Sequence, residues 1–396
     1  MPLLLLAPTP TRSSQQDKWK ERLLVLRVLN INFKSFSAKR AETPNLLESL
    51  KPDIILGTET WLDPTTATAE ILPDFYKVYR RDRGGRGGGV LIAIRNSLDS
   101  YAAPDLEADD CELLWVRIGL RGRRTLYVCT YYRPDAADEP SLIKRRTSLQ
   151  RASRLPNAHL LIGGDFNLPG WDWNTNTMKP RSPPPRMHHD FLSMVCDNGL
   201  EQLVKEPTRE DNTLDLFQTN CPQLVPRVEV VPGISDHSIP YCEISTNARR
   251  KKQTQRQIPL YSKADWDSLR TVAIELSADL QRMDGVATTE ELWTTFRASL
   301  HAAVKKFIPH KTARPKTCQP WVTTSIRKLI NRRDRTYRKM KKTGSEDLRT
   351  EVKNLRRTVQ RQLGRSYWNY LNTVFTGEDT PDQAGKNKRF WSYIKY

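Results

Sequence analysis

The chain has 396 residues, enough for two or three domains, and its net charge of +19 is all at one end: residues 1–246 hold 31 Lys/Arg against 31 Asp/Glu, residues 247–396 hold 33 against 14. A charge-neutral globular part followed by a strongly basic one points to a polyanion as partner of the second. Six cysteines without a C-x-x-C pair argue against a disulfide framework, and the single early apolar run (residues 3–7) is too short for a signal-peptide core, so an intracellular protein with no membrane partner is expected. In chain order, residues 1–21, rich in Pro, Ser, Thr and Gln, read as a disordered lead-in. Runs rich in Val, Ile, Leu and Tyr predict strands over 23–31, 54–58, 89–95, 113–120, 125–132, 159–164, 214–219, 228–231 and 238–244. Helices are predicted over 41–50, 141–155 and 188–198, the last with Phe191, Met194 and Val195 on one face and a stop at Asn198-Gly199. The glycine cluster 84–89 lacks the Gly-Lys-Ser/Thr ending of a phosphate loop and precedes a strand, so it reads as a turn. Mixed strands and helices predict an α/β domain over 22–246.

A break follows at 247–257, where Arg249, Arg250, Lys251 and Lys252 are candidate nucleic-acid contacts. Residues 247–320 read as a linker and helical region, with Trp266, Leu269 and Ala273, then Trp293, Phe296 and Leu300, at helical spacing. Residues 321–396 form a last, basic helical region. Within it, 321–361 carry 14 Lys/Arg against 4 Asp/Glu, and thin stripes of Ile326, Leu329 and Ile330, then Val352, Leu355 and Val359, predict two helices broken near Thr343-Gly344. Stripes this thin point to helices that pack on a partner or a missing domain and form no self-sufficient core.

Polar residues recur at the ends of the predicted strands, where α/β folds gather functional groups. The run 160–164 leads into Asp165-Phe166-Asn167, and in extended chain a carboxylate and an amide two residues apart face one side. Residues 54–57 lead to Glu59, residues 23–29 to Asn30 and Asn32, and Asp236-His237 precede the last strand, while Asp215 sits inside an apolar run. Taken singly, a strand-end Asp is more often a turn or helix cap, Asp215 reads equally well as an ion pair, and Trp171 and Trp173 read as packing. The order of the elements along the chain is what gives them weight.

That order resembles the endonuclease/exonuclease/phosphatase family over about residues 22–246. The resemblance implies a four-layer α/β sandwich, DNase I-like, with two packed mixed β-sheets flanked by helices, here followed by a mostly α-helical basic region. It puts the metal glutamate on Glu59, with Asn32 and Asp236 on the metal side; Asn32 stands where repair enzymes often carry Asp. It puts the catalytic carboxylate on Asp165, transition-state donors on Asn167, Asn30 and Tyr132, and the histidine on His237, oriented by Asp215. Phe33 replaces the glycine common in repair members, which changes the expected first loop. Pro207-Thr208-Arg209 ahead of Leu214-Asp215-Leu216 is similar to endonucleases of non-LTR (LINE-type) retrotransposons, in the form seen in jockey-like elements, and makes Thr208 and Arg209 candidate DNA contacts. Lys263-Ala264-Asp265-Trp266, Pro320-Trp321-Val322 and Arg389-Phe390-Trp391 resemble the linker that such elements place before the reverse transcriptase. The reverse transcriptase domain itself is expected to be missing from this chain, which reads as a truncated reading frame.

The function implied is an Mg²⁺-dependent DNA endonuclease, with Mn²⁺ as a substitute ion, that leaves a 3′-hydroxyl. It would act in the nucleus as the target-nicking part of a retrotransposon protein, and its basic region would grip DNA or RNA. Two alternatives compete: a catalytically inactive nucleic-acid-binding fragment, and another phosphoesterase of the same family acting on lipid head groups or poly(A).

Overall fold

The computed structural model describes residues 24–84, 87–122, 124–180, 185–248, 250, 257–312 and 319–376. The lead-in 1–21, Arg249, Lys251, Lys252 and residues 389–391 lie outside the described residues. The chain divides into two compact units, residues 1–251 with 320–396 and residues 252–319.

The first unit begins β1 (Leu24–Asn32), α1 (Thr43–Leu50), β2 (Ile54–Thr58), β3 (Tyr76–Arg81), β4 (Val90–Arg95), β5 (Ser100–Ala102), β6 (Leu113–Gly119) and β7 (Thr125–Tyr132). It continues through α2 (Glu139–Ser153), β8 (Ala158–Asp165), the short pair β9 (Trp171–Asp172) and β10 (Thr177–Met178), and α3 (Pro185–Asp197). Then follow β11 (Glu201–Gln202), β12 (Asp215–Thr219), β13 (Arg227–Val231) and β14 (Ile239–Thr246). Two six-stranded sheets result, ordered β13-β14-β1-β2-β4-β3 and β11-β12-β8-β7-β6-β5. Each is mixed: β1 and β2 run parallel, as do β7 and β8, and the other pairs are antiparallel.

The layering follows from side-chain alternation along strands buried on both faces. On β1, Leu26 and Val28 join Val116, Val128, Leu161 and Phe217 of the second sheet in the cluster between the sheets. The intervening Leu29 and Ile31 point the other way, onto Leu46 and Leu47 of α1. On the far face of the second sheet, Trp115, Cys129, Leu160 and Ile162 meet Leu142 and Leu149 of α2 and Phe191, Met194 and Val195 of α3. Helix, sheet, sheet, helix is the four-layer sandwich expected from the resemblance. Sequence reasoning passed over β3 and β5. β3 is a sheet edge of Tyr-Lys-Val-Tyr-Arg-Arg, whose charges blunt the edge and hide the apolar period.

In the second unit, β15 (Gln257–Pro259) and β16 (His310–Thr312) pair antiparallel and bracket α4 (Trp266–Met283) and α5 (Thr289–Phe307). A capping box of Thr288 and Glu291 opens α5.

The first unit resumes with α6 (Thr324–Thr343) and α7 (Glu346–Thr376). Thr323 accepts from the Ile326 N–H to start α6, and Gly344, at φ +65°, ends it where the break was expected. The thin apolar stripes close on one another: Trp321, Ile326 and Ile330 meet Val359, Leu363 and Leu371, with Ala41 of the sandwich in the same cluster. The Trp321 indole N–H donates to the Ala41 carbonyl at 3.1 Å. Among the described residues, no helix is long and apolar enough to cross a membrane.

Candidate active site

Three of the expected residues form one row across the second sheet. Tyr132 is the register partner of Asp165 on the parallel β7–β8 ladder, and Asp165 that of Asp215 on the antiparallel β8–β12 ladder. Partnered residues project from the same face, so register alone sets two carboxylates side by side. Asp215 is fully buried and Asp165 nearly so. Burial, and then the charge of Asp215, push the Asp165 carboxyl up to about 7, against the pull of the His237 charge and of the hydrogen bonds from Asn167 and Asn32.

The loop before β14 supplies the compensating cation. His237 Nδ1 lies 2.7 Å from Asp215 Oδ2, with both groups buried. Burial pulls the imidazole down, but the Asp215 carboxylate, through charge and hydrogen bond, and the charges of Asp165 and Asp236 outweigh it and raise His237 to about 9. Asp165, Asp215 and His237 each offer a donor atom within 4.8 Å of the others. Because Asp215 and Nδ1 of His237 already bond each other, this trio suits holding charge and moving a proton better than holding a metal. Two glycines permit the close packing here. A Cβ on Gly164 would sit 1.8 Å from the Tyr131 carbonyl, and one on Gly233 1.8 Å from that of His237.

The first sheet brings the amide and acid from the other side. The Asn32 side-chain NH₂ donates to Glu59 Oε1 at 2.8 Å and to Asp165 Oδ2 at 2.9 Å, so one nitrogen gathers an acid from each sheet. Glu59 has a left-handed backbone, φ +47°. Its loop is held between two others: Ser35 N–H donates to the Glu59 carbonyl, while Thr60 and Trp61 donate to Gly89 and Gly88. The glycine turn thus backs the Glu59 loop. The Tyr132 phenol is pushed up by burial and by the nearby Glu59 and Asp165 charges. The Glu59 and Asp165 carboxylates that converge on the Asn32 nitrogen are a hard oxygen donor set, which fits a hard divalent cation, while the Asn32 oxygen accepts from the Lys34 N–H at 3.1 Å.

Five expected residues are engaged by partners within the fold. Asn30 is fully buried and its amide donates to the backbone carbonyls of Gly164 and Leu216, at 2.9 and 3.3 Å. It ties the two sheets together. Thr208 is likewise buried; its hydroxyl accepts from the Leu214 and Asp215 N–H groups and fixes the start of β12. Arg250 is paired with Asp53 at 2.9 Å, which anchors the end of the sandwich. Asp236 Oδ2 is paired with Lys34 at 3.0 Å and with Arg209 at 3.1 Å. Burial would raise this carboxyl, but the Lys34 hydrogen bond and the His237, Lys34 and Arg209 charges together lower it. The Asn167 amide donates to the Arg133 carbonyl at 2.7 Å, and its N–H to Asp165 Oδ1 at 3.1 Å. Trp171 is packing: it is buried, edge-on to Trp173.

Two residues that sequence reasoning gave no role organise this centre. Arg133 is fully buried, and its guanidinium donates to the carbonyls of Phe166 (2.8 Å) and Asn167 (2.7 Å), which holds the Asp165–Asn167 turn from behind. Ser235 donates to the Asn32 carbonyl at 2.6 Å and accepts from the His237 N–H, joining the histidine loop to β1. Each adjoins a motif residue in sequence, Arg133 next to Tyr132 and Ser235 next to Asp236, which was the available signal.

The sequence pattern of the Endonuclease/Exonuclease/phosphatase family matches residues 28–237, more than half of the chain, and the chain belongs to that family. No curated protein matches it. Solved structures similar to it include the endonuclease domain of TRAS1, a telomere-specific non-LTR retrotransposon, at 18% identity over 57% of this chain and 100% of that one, TM-score 0.43. An AP endonuclease from Leishmania major is similar at 14% identity over 60% of this chain and 92% of that one, TM-score 0.45. One from Archaeoglobus fulgidus is similar at 15% identity over 55% and 99%, TM-score 0.44.

Proposed function

We propose that this chain is a divalent-metal-dependent DNA endonuclease that hydrolyses phosphodiester bonds to leave a 3′-hydroxyl, the target-nicking part of a non-LTR retrotransposon protein. The observation that carries the chemistry is the buried convergence of Asp165, Asp215 and His237, with donor atoms within 4.8 Å of one another and the imidazole bonded to Asp215. Asp165 orients a water and accepts its proton. His237, held by Asp215, presents positive charge and a proton at Nε2 to a phosphate oxygen. Tyr132, kept protonated by burial and by its acidic neighbours, donates to the same phosphate. Glu59 would hold the cation, Mg²⁺ or Mn²⁺, with its carboxylate oriented by the Asn32 amide; when bound it would polarise the phosphate and shield the leaving oxygen. Asp236 anchors Lys34 and Arg209 at the rim, where Arg209 would meet the DNA backbone. Asn167 reaches a phosphate only by turning its amide from the Arg133 carbonyl.

The retrotransposon reading rests on the Pro-Thr-Arg and linker motifs, and it implies a nuclear site of action and a reverse transcriptase partner. The basic residues of 247–396 would add grip on DNA or RNA that weakens steeply with salt. Nicking of supercoiled plasmid with Mg²⁺, by the full chain and by Asp165→Asn, tests the reading, and extension of the nick by a DNA polymerase reports the 3′-hydroxyl. Nicking by the wild type no faster than by the variant would leave only a nucleic-acid-binding protein. Release of phosphate from an inositol phosphate in place of nicking would make it another phosphoesterase.

A further inference from the structure

The loop that carries His237 does not hold itself. Its backbone carbonyls turn outward and are met by side chains of α7: Gln360 Nε2 donates to the Ile234 carbonyl at 2.5 Å, and the Arg356 guanidinium to the Ser235 carbonyl at 3.0 Å. The adjoining loop, which supplies Thr208 and Arg209, is met in the same way. Arg349 pairs with Asp211 at 3.0 Å, and Lys341 with Glu206. Lys341 also donates to the Val230 carbonyl at 3.0 Å. The two loops are joined to each other by Ser238 N–H to the Thr208 carbonyl, 2.6 Å. The Trp321 cluster fixes the base of the α6–α7 hairpin against Ala41.

We propose that the α6–α7 hairpin is part of the catalytic apparatus, with Arg356 and Gln360 as positioning residues that set the His237 loop for the phosphoester chemistry proposed above. Hydrogen bonds to carbonyls at two successive residues fix both the height and the rotation of the peptide that leads into Asp236 and His237. Loss of either lets the imidazole drift from the phosphate oxygen, and small displacements of a reacting group are costly. The hairpin's basic composition suggests grip alone. Arg356 differs from its neighbour Arg357, which is exposed, in that it is half-buried and aimed into the loop.

The test uses the full chain with Arg356→Ala, Arg356→Lys, Gln360→Ala and, as an outward-facing control, Arg357→Ala. Turnover and KM are measured on a duplex oligonucleotide, and the His237 imidazole is followed by ¹H–¹⁵N NMR, assigned with His237→Ala. The expected result is a fall of about ten-fold in kcat for Arg356→Ala and Gln360→Ala with KM little changed, partial recovery in Arg356→Lys, and a displaced His237 signal. Arg357→Ala should alter KM alone. An unmoved His237 signal in folded Gln360→Ala overturns the proposal, as does a kcat equal to wild type. Should the Arg356 variants fail to fold, Gln360→Ala decides. If the wild type shows no nuclease activity, the function proposed above fails, and the imidazole signal still decides whether the hairpin positions the loop.

Discussion

Replacing Asp215 with Asn removes one charge and little else. The isostere keeps an oxygen that accepts from His237 Nδ1, at what is now a 2.7 Å contact. In the native chain the three surrounding acids lift the buried imidazole from 6.5 to about 9, and this gap corresponds to roughly 3 kcal/mol of preference for the charged form. With Asp215 neutral, its charge no longer offsets burial, and the imidazole should fall back towards its ordinary 6.5. At pH 8 the imidazolium fraction then drops from about nine-tenths to about three in a hundred, a loss of about thirty-fold if the cation is the reactive form. The acid limb should move too, because Asp215 helps to hold Asp165 near 7. A kcat–pH profile between pH 5.5 and 10, with matched NMR titration of His237, measures both limbs. Wild type should rise through about 7 and fall through about 9, and the variant should peak at lower pH. A basic limb that stays near 9 in Asp215→Asn would refute the assignment of charge on His237 to Asp215.

Two further expectations concern the frame of the site. Glu42, buried under α7, has its carboxyl raised from 4.5 to about 7, by burial against the pull of Lys39, Arg333, Arg356 and Gln360. Ionising it therefore costs stability, a cost absent below about 4.5 and complete above about 7, so Glu42→Gln should stabilise by up to roughly 3 kcal/mol at pH 8 and by nothing at pH 4, read from denaturant melts. Gly233→Ala drives a methyl into the His237 carbonyl, so activity should vanish and stability fall by about 2 kcal/mol or more; a fully active, equally stable variant would show that the loop yields freely.

What could be read from the sequence was whatever depends on local pattern. The predicted strands 54–58 and 125–132 coincide with β2 and β7, because apolar runs flanked by turn residues define their own ends. The helix expected from 41 starts at Thr43, with Pro44 in its first turn. Side-chain direction was harder. Asn30 and Asn32 alternate on one strand, yet one is locked between the sheets and the other gathers Glu59 and Asp165, a difference that only the second sheet decides. Thr208 was a candidate contact by the resemblance of Pro-Thr-Arg to retrotransposon endonucleases, and its burial depends on the loop folding back over β12. The clasp of α7 on the histidine loop left no trace in sequence at all. Its acceptors are backbone carbonyls, which every residue possesses, so nothing about Ile234 or Ser235 announces a partner more than a hundred residues away.

The two asparagines of β1 have a mechanical consequence. Asn30 is bonded into β8 and β12 of the opposite sheet, and two residues further on Asn32 holds one acid from each sheet. A single strand is therefore the common rail on which both halves of the centre are gauged. Any shear between the sheets must break the same short stretch of backbone and amide bonds that spaces Glu59 from Asp165. The centre has no soft mode of its own along this direction. Catalytic geometry and the seam of the sandwich should be lost together, as one cooperative event.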